Sequence, residues 1–147
     1  MTAAILDARS ILIATDGSPA SMEAIELACA LVKRNKGSVT VVHVIEVPRA
    51  LPLDADLQNA AERGEEYLSA AEQLAAKLDC KIEAELLQAR EAGHAVVDEA
   101  TSRAVDAILL GVEHHTPYGE FQIGRTTQYV LKNAHCPVVI CRQRVPE

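Results

Sequence analysis

Gly111 and Gly124 bracket a polar loop in the stretch Ala107 to Thr127, AILLGVEHHTPYGEFQIGRTT. The apolar run Ile108-Leu109-Leu110 ends at the first glycine, and the second opens a segment with helical spacing. Strand, glycine, loop, glycine, helix is an order that, in parallel α/β folds, presents backbone N–H groups and a helix N-terminus to an anion. The chemistry on offer is phosphate binding. Each glycine also has a plainer use, ending or starting an element. Thr126 and Thr127 add hydroxyl donors at the helix start or are ordinary first-turn residues, and Thr127 also falls on the apolar spacing. Asp16 directly follows the apolar run Ile11 to Thr15. A carboxylate there can accept hydrogen bonds from ribose hydroxyls, while Asp-Gly is equally a turn dipeptide.

Five histidines are present: His43, His94, His114, His115 and His135. The pair His114-His115 suggests a metal or acid–base site, but adjacent loop residues rarely aim at one ion, and no Asp, Cys or His stands at ligand spacing beside them. They read as solvated loop histidines. His43, flanked by valines, reads as a satisfied strand residue. The cysteines Cys29, Cys80, Cys136 and Cys141 form no C-x-x-C pair and read as buried thiols rather than a disulfide or zinc framework. There is no nucleophile elbow, no Walker-type lysine loop and no dinucleotide fingerprint. With no general base nominated and no catalytic residue, the residues favour a binding module over an enzyme.

The elements that must position these groups follow from periodicity. The first strand, Ile11 to Thr15, is followed by turn residues, with Ser18 suited to cap a helix and Pro19 to its first position. Ala24, Ile25, Ala28, Leu31 and Val32 mark one helix face. Lys33, Arg34 and Lys36 lie near that helix's end, where cations suit the dipole, and Gly37 stops it. Ser38 to Val47 reads as a second strand, and Pro48 and Pro52 give a loop to about Asp56. A long amphipathic helix runs through Leu57, Ala61, Gly64, Leu68, Ala71, Ala75 and Leu78. Lys81 to Gln88 reads as a third strand, and Val96, Val97, Ala100 and Ala104 as a third helix. Asp106 to Gly111 is a fourth strand, Ile123, Thr127, Val130, Leu131 and Ala134 a fourth helix, and Pro137 to Cys141 a fifth strand.

Strict alternation of strands and helices predicts a single α/β domain over 1–147. Its five-stranded parallel sheet is doubly wound, with right-handed crossovers and helices on both faces. Ligands in such sheets sit beyond the carboxyl ends of the strands, where the strand order reverses. The loops after the first, second and fourth strands are expected to converge there, bringing Thr15-Asp16-Gly17, Glu46 and the Gly111–Gly124 loop together.

Composition narrows the class. The chain has 147 residues, 49% hydrophobic and 24% charged, with 3% aromatic residues and no Trp, so Ala, Val, Ile and Leu must build the core. A net charge of −7 without a basic block argues against a nucleic-acid partner. No apolar run approaches the ~20 residues of a membrane span, and the first residues lack a signal-type pattern. A soluble cytoplasmic protein with no membrane partner is expected.

As a set, ILIATDGSPAS near the start, VVHVIE, DAILLGVEHH with a later glycine before the last helix, and CPVVIC resemble the universal stress protein family over residues 9–142. The resemblance implies a Rossmann-like fold of the adenine-nucleotide-binding type, and many members bind ATP. Their pattern after the fourth strand is G-x2-G-x9-G-[ST], followed by further hydroxyl residues. Here Gly111 and Gly124 match the first and third glycines at the family spacing, His114 occupies the second glycine's place, Arg125 replaces Ser or Thr, and Thr127 falls on a later hydroxyl position. The same resemblance carries Asp16 and Val44, the latter through its backbone, to the adenosine end of the nucleotide. The nucleotide-contact set it implies is Thr15, Asp16, Val44, Gly111, His114, Gly124, Arg125, Thr126 and Thr127. The cofactor would be ATP with magnesium or manganese. His114 adds bulk beside the phosphates, and Arg125 exchanges a hydroxyl for a cation that can pair with phosphate or close the site. Two functions are therefore weighed: an ATP-binding stress-response or signalling protein with a degenerate phosphate loop and at most slow, incidental ATP hydrolysis, and a nucleotide-free homodimeric interaction module. In either, residues 137–141 are expected to form an edge strand that pairs two copies.

Overall fold

The computed structural model of the chain describes residues 5–114 and 123–145. The elements are β1 (Ser10–Ala14), α1 (Pro19–Arg34), β2 (Ser38–Glu46), α2 (Gln58–Lys77), β3 (Ile82–Ala89), α3 (Ala92–Arg103), β4 (Ala107–Val112), α4 (Arg125–Asn133) and β5 (Val138–Arg142). All five strands are parallel, in the order β3-β2-β1-β4-β5. The order therefore reverses between β1 and β4, as the alternating pattern predicts. His115 and the loop residues to 122 lie outside the described residues.

The central strands are buried on both faces, which is why their sequences read as unbroken apolar runs. Successive side chains take opposite faces. Ile11, Ile13, Val39, Val41, Ala107 and Leu109 pack with Ala24, Ile25 and Ala28 of α1 and Leu68, Ala71 and Ala75 of α2. Leu12, Val42, Ile108 and Leu110 pack with Val96, Val97 and Ala100 of α3 and Val130 of α4. One sheet thus carries two cores, α1–α2 on one side and α3–α4 on the other.

Local signals set most boundaries. Ser18 caps α1 by accepting from the Ser21 amide at 3.2 Å, Pro19 opens it, and Lys33 and Arg34 sit in its last turn. Most boundaries shift by a residue or two from their expected places, β1, β3 and β4 among them, and three of the shifts are instructive. The second strand stops at Glu46, although the Val47 amide still bonds the Ala89 carbonyl at 2.8 Å. The fourth helix starts at Arg125 rather than Ile123, because Gly124 takes φ +75° and breaks the helical run. The fifth strand is Val138–Arg142 rather than 137–141. Pro137 has no amide to donate, so it contributes only its carbonyl, accepting from Ile108 at 3.0 Å.

Candidate functional site

Thr15, one residue past β1, ties the strand ends together. Its amide donates to the Val42 carbonyl at 2.8 Å, and its hydroxyl lies 2.9 Å from that of Ser21 on α1 and accepts from the Gly17 amide at 3.1 Å. Its carbonyl sits 2.7 Å from His43 Nδ1, so His43 is the satisfied strand residue its valine neighbours suggest. Asp16 is exposed and its Oδ1 accepts from the Ser18 amide at 3.0 Å, the turn role that Asp-Gly implies.

These residues form one wall of a cleft of about 170 Å³ at the carboxyl end of the sheet. Val44 of β2, Ala92 at the start of α3, Gly111 of β4, and Thr126 and Thr127 of α4 complete it. Loops after β1, β2 and β4 do converge, and six of the nine residues of the expected set line the cleft: Thr15, Asp16, Val44, Gly111, Thr126 and Thr127, the last of them buried. The remaining three stand elsewhere. Gly124 is the N-cap residue of α4. Arg125 is turned outward, its side chain 88% exposed and 4.0 Å from Glu46. His114 is exposed and donates its backbone amide to Gln143 Oε1 at 3.3 Å.

Of the helices that begin at this end of the sheet, α3 and α4 differ at their N-termini. At α3 the Ala92 amide already donates to Glu46 Oε2 at 2.9 Å. At α4 no side chain among the described residues caps the first turn. The opening amides of a helix have no intrahelical acceptor and carry the positive end of its dipole. Among the described residues nothing crowds Gly124 in front of them: a Cβ built there meets none of their atoms within 4 Å. The arrangement can bind an anion at α4, with Thr126 and Thr127 beside it and Arg125 one turn of its side chain away.

Several participants carry no local signal in the sequence. Tyr67 of α2 packs edge-on against His43, with ring centroids 5.2 Å apart, and its ring lies against Gly17. Its pairing with His43 depends on α2 crossing β2, where Gly64 permits close approach to His43 and Leu86. A second cavity, about 220 Å³, adjoins the cleft through the shared Thr126 and is lined by Glu46, Glu91, Gly93, His94, Arg125 and Tyr129. His94 stacks on Tyr129 at 4.1 Å and pairs with Glu91 at 2.8 Å. The i,i+3 spacing of Glu91 and His94 is readable in the sequence, whereas the contact with Tyr129 needs α3 to pack on α4. Among the described residues, no three His, Cys, Asp or Glu side chains gather to hold a metal ion. No described helix is long and apolar enough to cross a membrane.

An open parallel sheet with a cleft at its switch point and an uncapped helix N-terminus beside it defines an α/β fold of the nucleotide-binding type. The chain belongs to the universal stress protein family, whose model matches residues 8–142. The universal stress protein MJ0531 of Methanocaldococcus jannaschii is 29% identical over 141 residues, covering 92% of this chain and 82% of that protein. A universal stress protein from Archaeoglobus fulgidus shares the fold at TM-score 0.78 and 22% identity, over 89% of this chain and 96% of the other. A universal stress protein structure from the same organism, solved in complex with dAMP, matches at TM-score 0.73 and 20% identity, over 91% and 98% of the two chains.

Proposed function

We propose that this chain is an ATP-binding stress-response or signalling protein whose phosphate loop is a degenerate form of the family's. The observation that carries this reading is the uncapped start of α4, behind the open position of Gly124, at the mouth of the cleft formed after β1, β2 and β4. Adenosine would lie against Asp16 and Val44, and the phosphates would approach Gly124, Thr126 and Thr127. Arg125 would leave Glu46 to pair with phosphate oxygens, a charge-assisted contact that replaces the hydroxyl other members supply. Magnesium or manganese would arrive with the nucleotide, on its phosphates. The dAMP complex of the Archaeoglobus fulgidus protein supports an adenine nucleotide as the ligand class. Among the described residues of the cleft no side chains are arranged as nucleophile and base, and hydrolysis would be slow and incidental. The protein would act in the cytoplasm as one domain, without nucleic-acid or membrane partners.

Calorimetry with millimolar ATP and magnesium tests the reading. Binding with micromolar or weaker affinity is expected, together with a rise in melting temperature. Absence of both heat and thermal shift sinks it and leaves the nucleotide-free interaction module.

A specific observation favours self-association under either reading. β5 is an edge strand, and Val138, Val139, Ile140 and Cys141 are all only half-buried. The tail beyond it turns inward, Gln143 donating to the Val112 carbonyl at 2.7 Å and Arg144 to Glu23 Oε2 at 3.1 Å. Pairing with a second copy about a two-fold axis would cover the exposed edge. Sedimentation is expected to give a dimer for the parent and a monomer for Val139→Lys. A parent that sediments as a monomer at high micromolar concentration removes the dimer.

A further inference from the structure

The amino ends of β1, β2 and β3 lie at the opposite end of the sheet from the nucleotide cleft, beside the last turns of α1 and α2. An open cavity of about 560 Å³ lies there, lined by Arg9, Lys33, Lys36 and Lys81, with Asp79 as its one acid. Its size falls within the ~300–1,000 Å³ of small-ligand sites. The cations come from separate segments: Arg9 just before β1, Lys33 and Lys36 at and after the end of α1, and Lys81 just before β3. The chain as a whole carries a net charge of −7, so this cavity runs against the charge of the molecule.

Cations near helix C-termini commonly serve the last carbonyls and the dipole. Lys33 does so, donating to the Leu78 carbonyl at 3.2 Å. The neighbouring carbonyls are met by the backbone instead. Val32 accepts from Asn35 at 3.0 Å and from Gly37 at 2.8 Å, Ala75 from Cys80 at 2.9 Å, and Ala76 from Asp79 at 3.2 Å. Among the described residues, the side chains of Arg9, Lys36 and Lys81 have no ion-pair or hydrogen-bond partner. Lys36 also stands at φ +56°, a left-handed position after a helix that glycine commonly fills, and so sets a cation on the rim. Capping accounts for Lys33 and leaves the other three cations facing the cavity without a use inside the molecule.

We propose that this cavity binds a small oligophosphate, a compact anion of several negative charges, at a site separate from the nucleotide cleft. Four cations against one acid leave the positive surplus that such an anion neutralises. Three of the four are lysines, which meet phosphate oxygens as point charges, without the planar fork that arginine brings to a carboxylate. The Ser38 hydroxyl in the lining adds a neutral donor.

Calorimetry with sodium tripolyphosphate, without magnesium and at physiological ionic strength, tests the site. Charges more than about 8 Å apart are largely screened under those conditions, so repulsion by the rest of the chain contributes little. Saturable binding is expected in the parent and in Gly124→Val. Lys36→Glu with Lys81→Glu, both exposed, should bind at least about ten-fold more weakly, as the loss of two charge-assisted contacts implies. Lys36→Gly suits the left-handed backbone and removes one cation, so it should weaken binding several-fold without loss of stability. Arg63→Glu with Lys132→Glu makes the same charge change at exposed helix positions outside the cavity and should bind as the parent does. Citrate should bind the parent more weakly than tripolyphosphate. The proposal is overturned by a parent without saturable binding, by either cavity variant binding as tightly as the parent, or by the Arg63 and Lys132 pair losing as much as the Lys36 and Lys81 pair. Citrate binding as tightly as tripolyphosphate overturns the phosphate class. Loss in Gly124→Val with retention in the cavity variants would put the anion at α4, which overturns this site and leaves the nucleotide reading standing.

Discussion

A Cβ added at Gly111 would run into the Ala20 carbonyl and the Ser21 amide of α1, whereas one added at Gly124 would meet no atom of the described residues within 4 Å. The two glycines close the same loop, and in the family pattern they count as equal phosphate-loop positions. In the molecule they do different work. Gly111 lets the start of α1 settle directly on β4, and that packing brings Ser21 to Thr15 and aligns the cleft wall. Gly124 sits at φ +75° and ψ 162°, a conformation open almost only to glycine, and adds no side chain at the front of α4. A motif read as one functional unit is therefore half packing and half ligand space.

Substitution at Gly111 gives the largest expected effect. Gly111→Ala sets a methyl against backbone that belongs to a helix start and has no side-chain freedom to yield. A loss of stability of about 3 kcal/mol is expected, at the upper end for overpacking, read as a lower midpoint in urea with unchanged slope. A loss under about 1 kcal/mol would show that α1 can lift from β4 and would erase the contrast between the two positions.

At Gly124 the expected loss is in binding more than in folding. Gly124→Val must adopt a backbone conformation costing about 1–3 kcal/mol, relieved in part because α4 can begin one residue later. The fold should survive, and ATP binding should vanish in calorimetry because the side chain fills the approach to the α4 amides. Gly124→Ala separates strain from bulk: retained binding would mean that space matters and backbone conformation does not. If Gly124→Val binds as the parent does, the phosphates do not approach α4.

The contrast between the two glycines also marks what the sequence could disclose. Alternating apolar runs and helical faces reveal all nine elements and the sheet type, because strands buried on both faces and helices buried on one leave period-specific patterns. The convergence of the loops after β1, β2 and β4 follows from topology alone, and Thr15, Asp16, Val44, Gly111 and Thr126 meet there. The glycines' separate roles do not follow, since a missing side chain leaves no trace of whether it makes room for a helix or for a ligand. Contacts between elements distant in sequence are equally silent. The Tyr67–His43 pair needs the crossing of α2 over β2, and the Glu46 cap on Ala92 joins residues 46 positions apart. That cap decides which helix N-terminus is left for an anion, and only the assembled structure distinguishes α3 from α4.

His114 offers the smallest effect and the sharpest sorting between the two roles. It stands where the family has a glycine, and its backbone amide reaches Gln143 Oε1 at 3.3 Å, a bond that any residue at this position can make. The side chain is exposed and outside the lining of the cleft, unlike Gly111, and it is ten positions from the open space at Gly124. His114→Gly should therefore leave the fold almost untouched, costing no more than the ~0.5–1 kcal/mol of added backbone freedom that a glycine brings. With the imidazole outside the cleft, and glycine the family's residue at this position, ATP should bind as in the parent or a few-fold more tightly in calorimetry. A weaker complex would make the histidine a ligand contact: it would then act with Gly124, on the nucleotide, and the loop's departure from the family pattern would be a substitution of one phosphate contact for another.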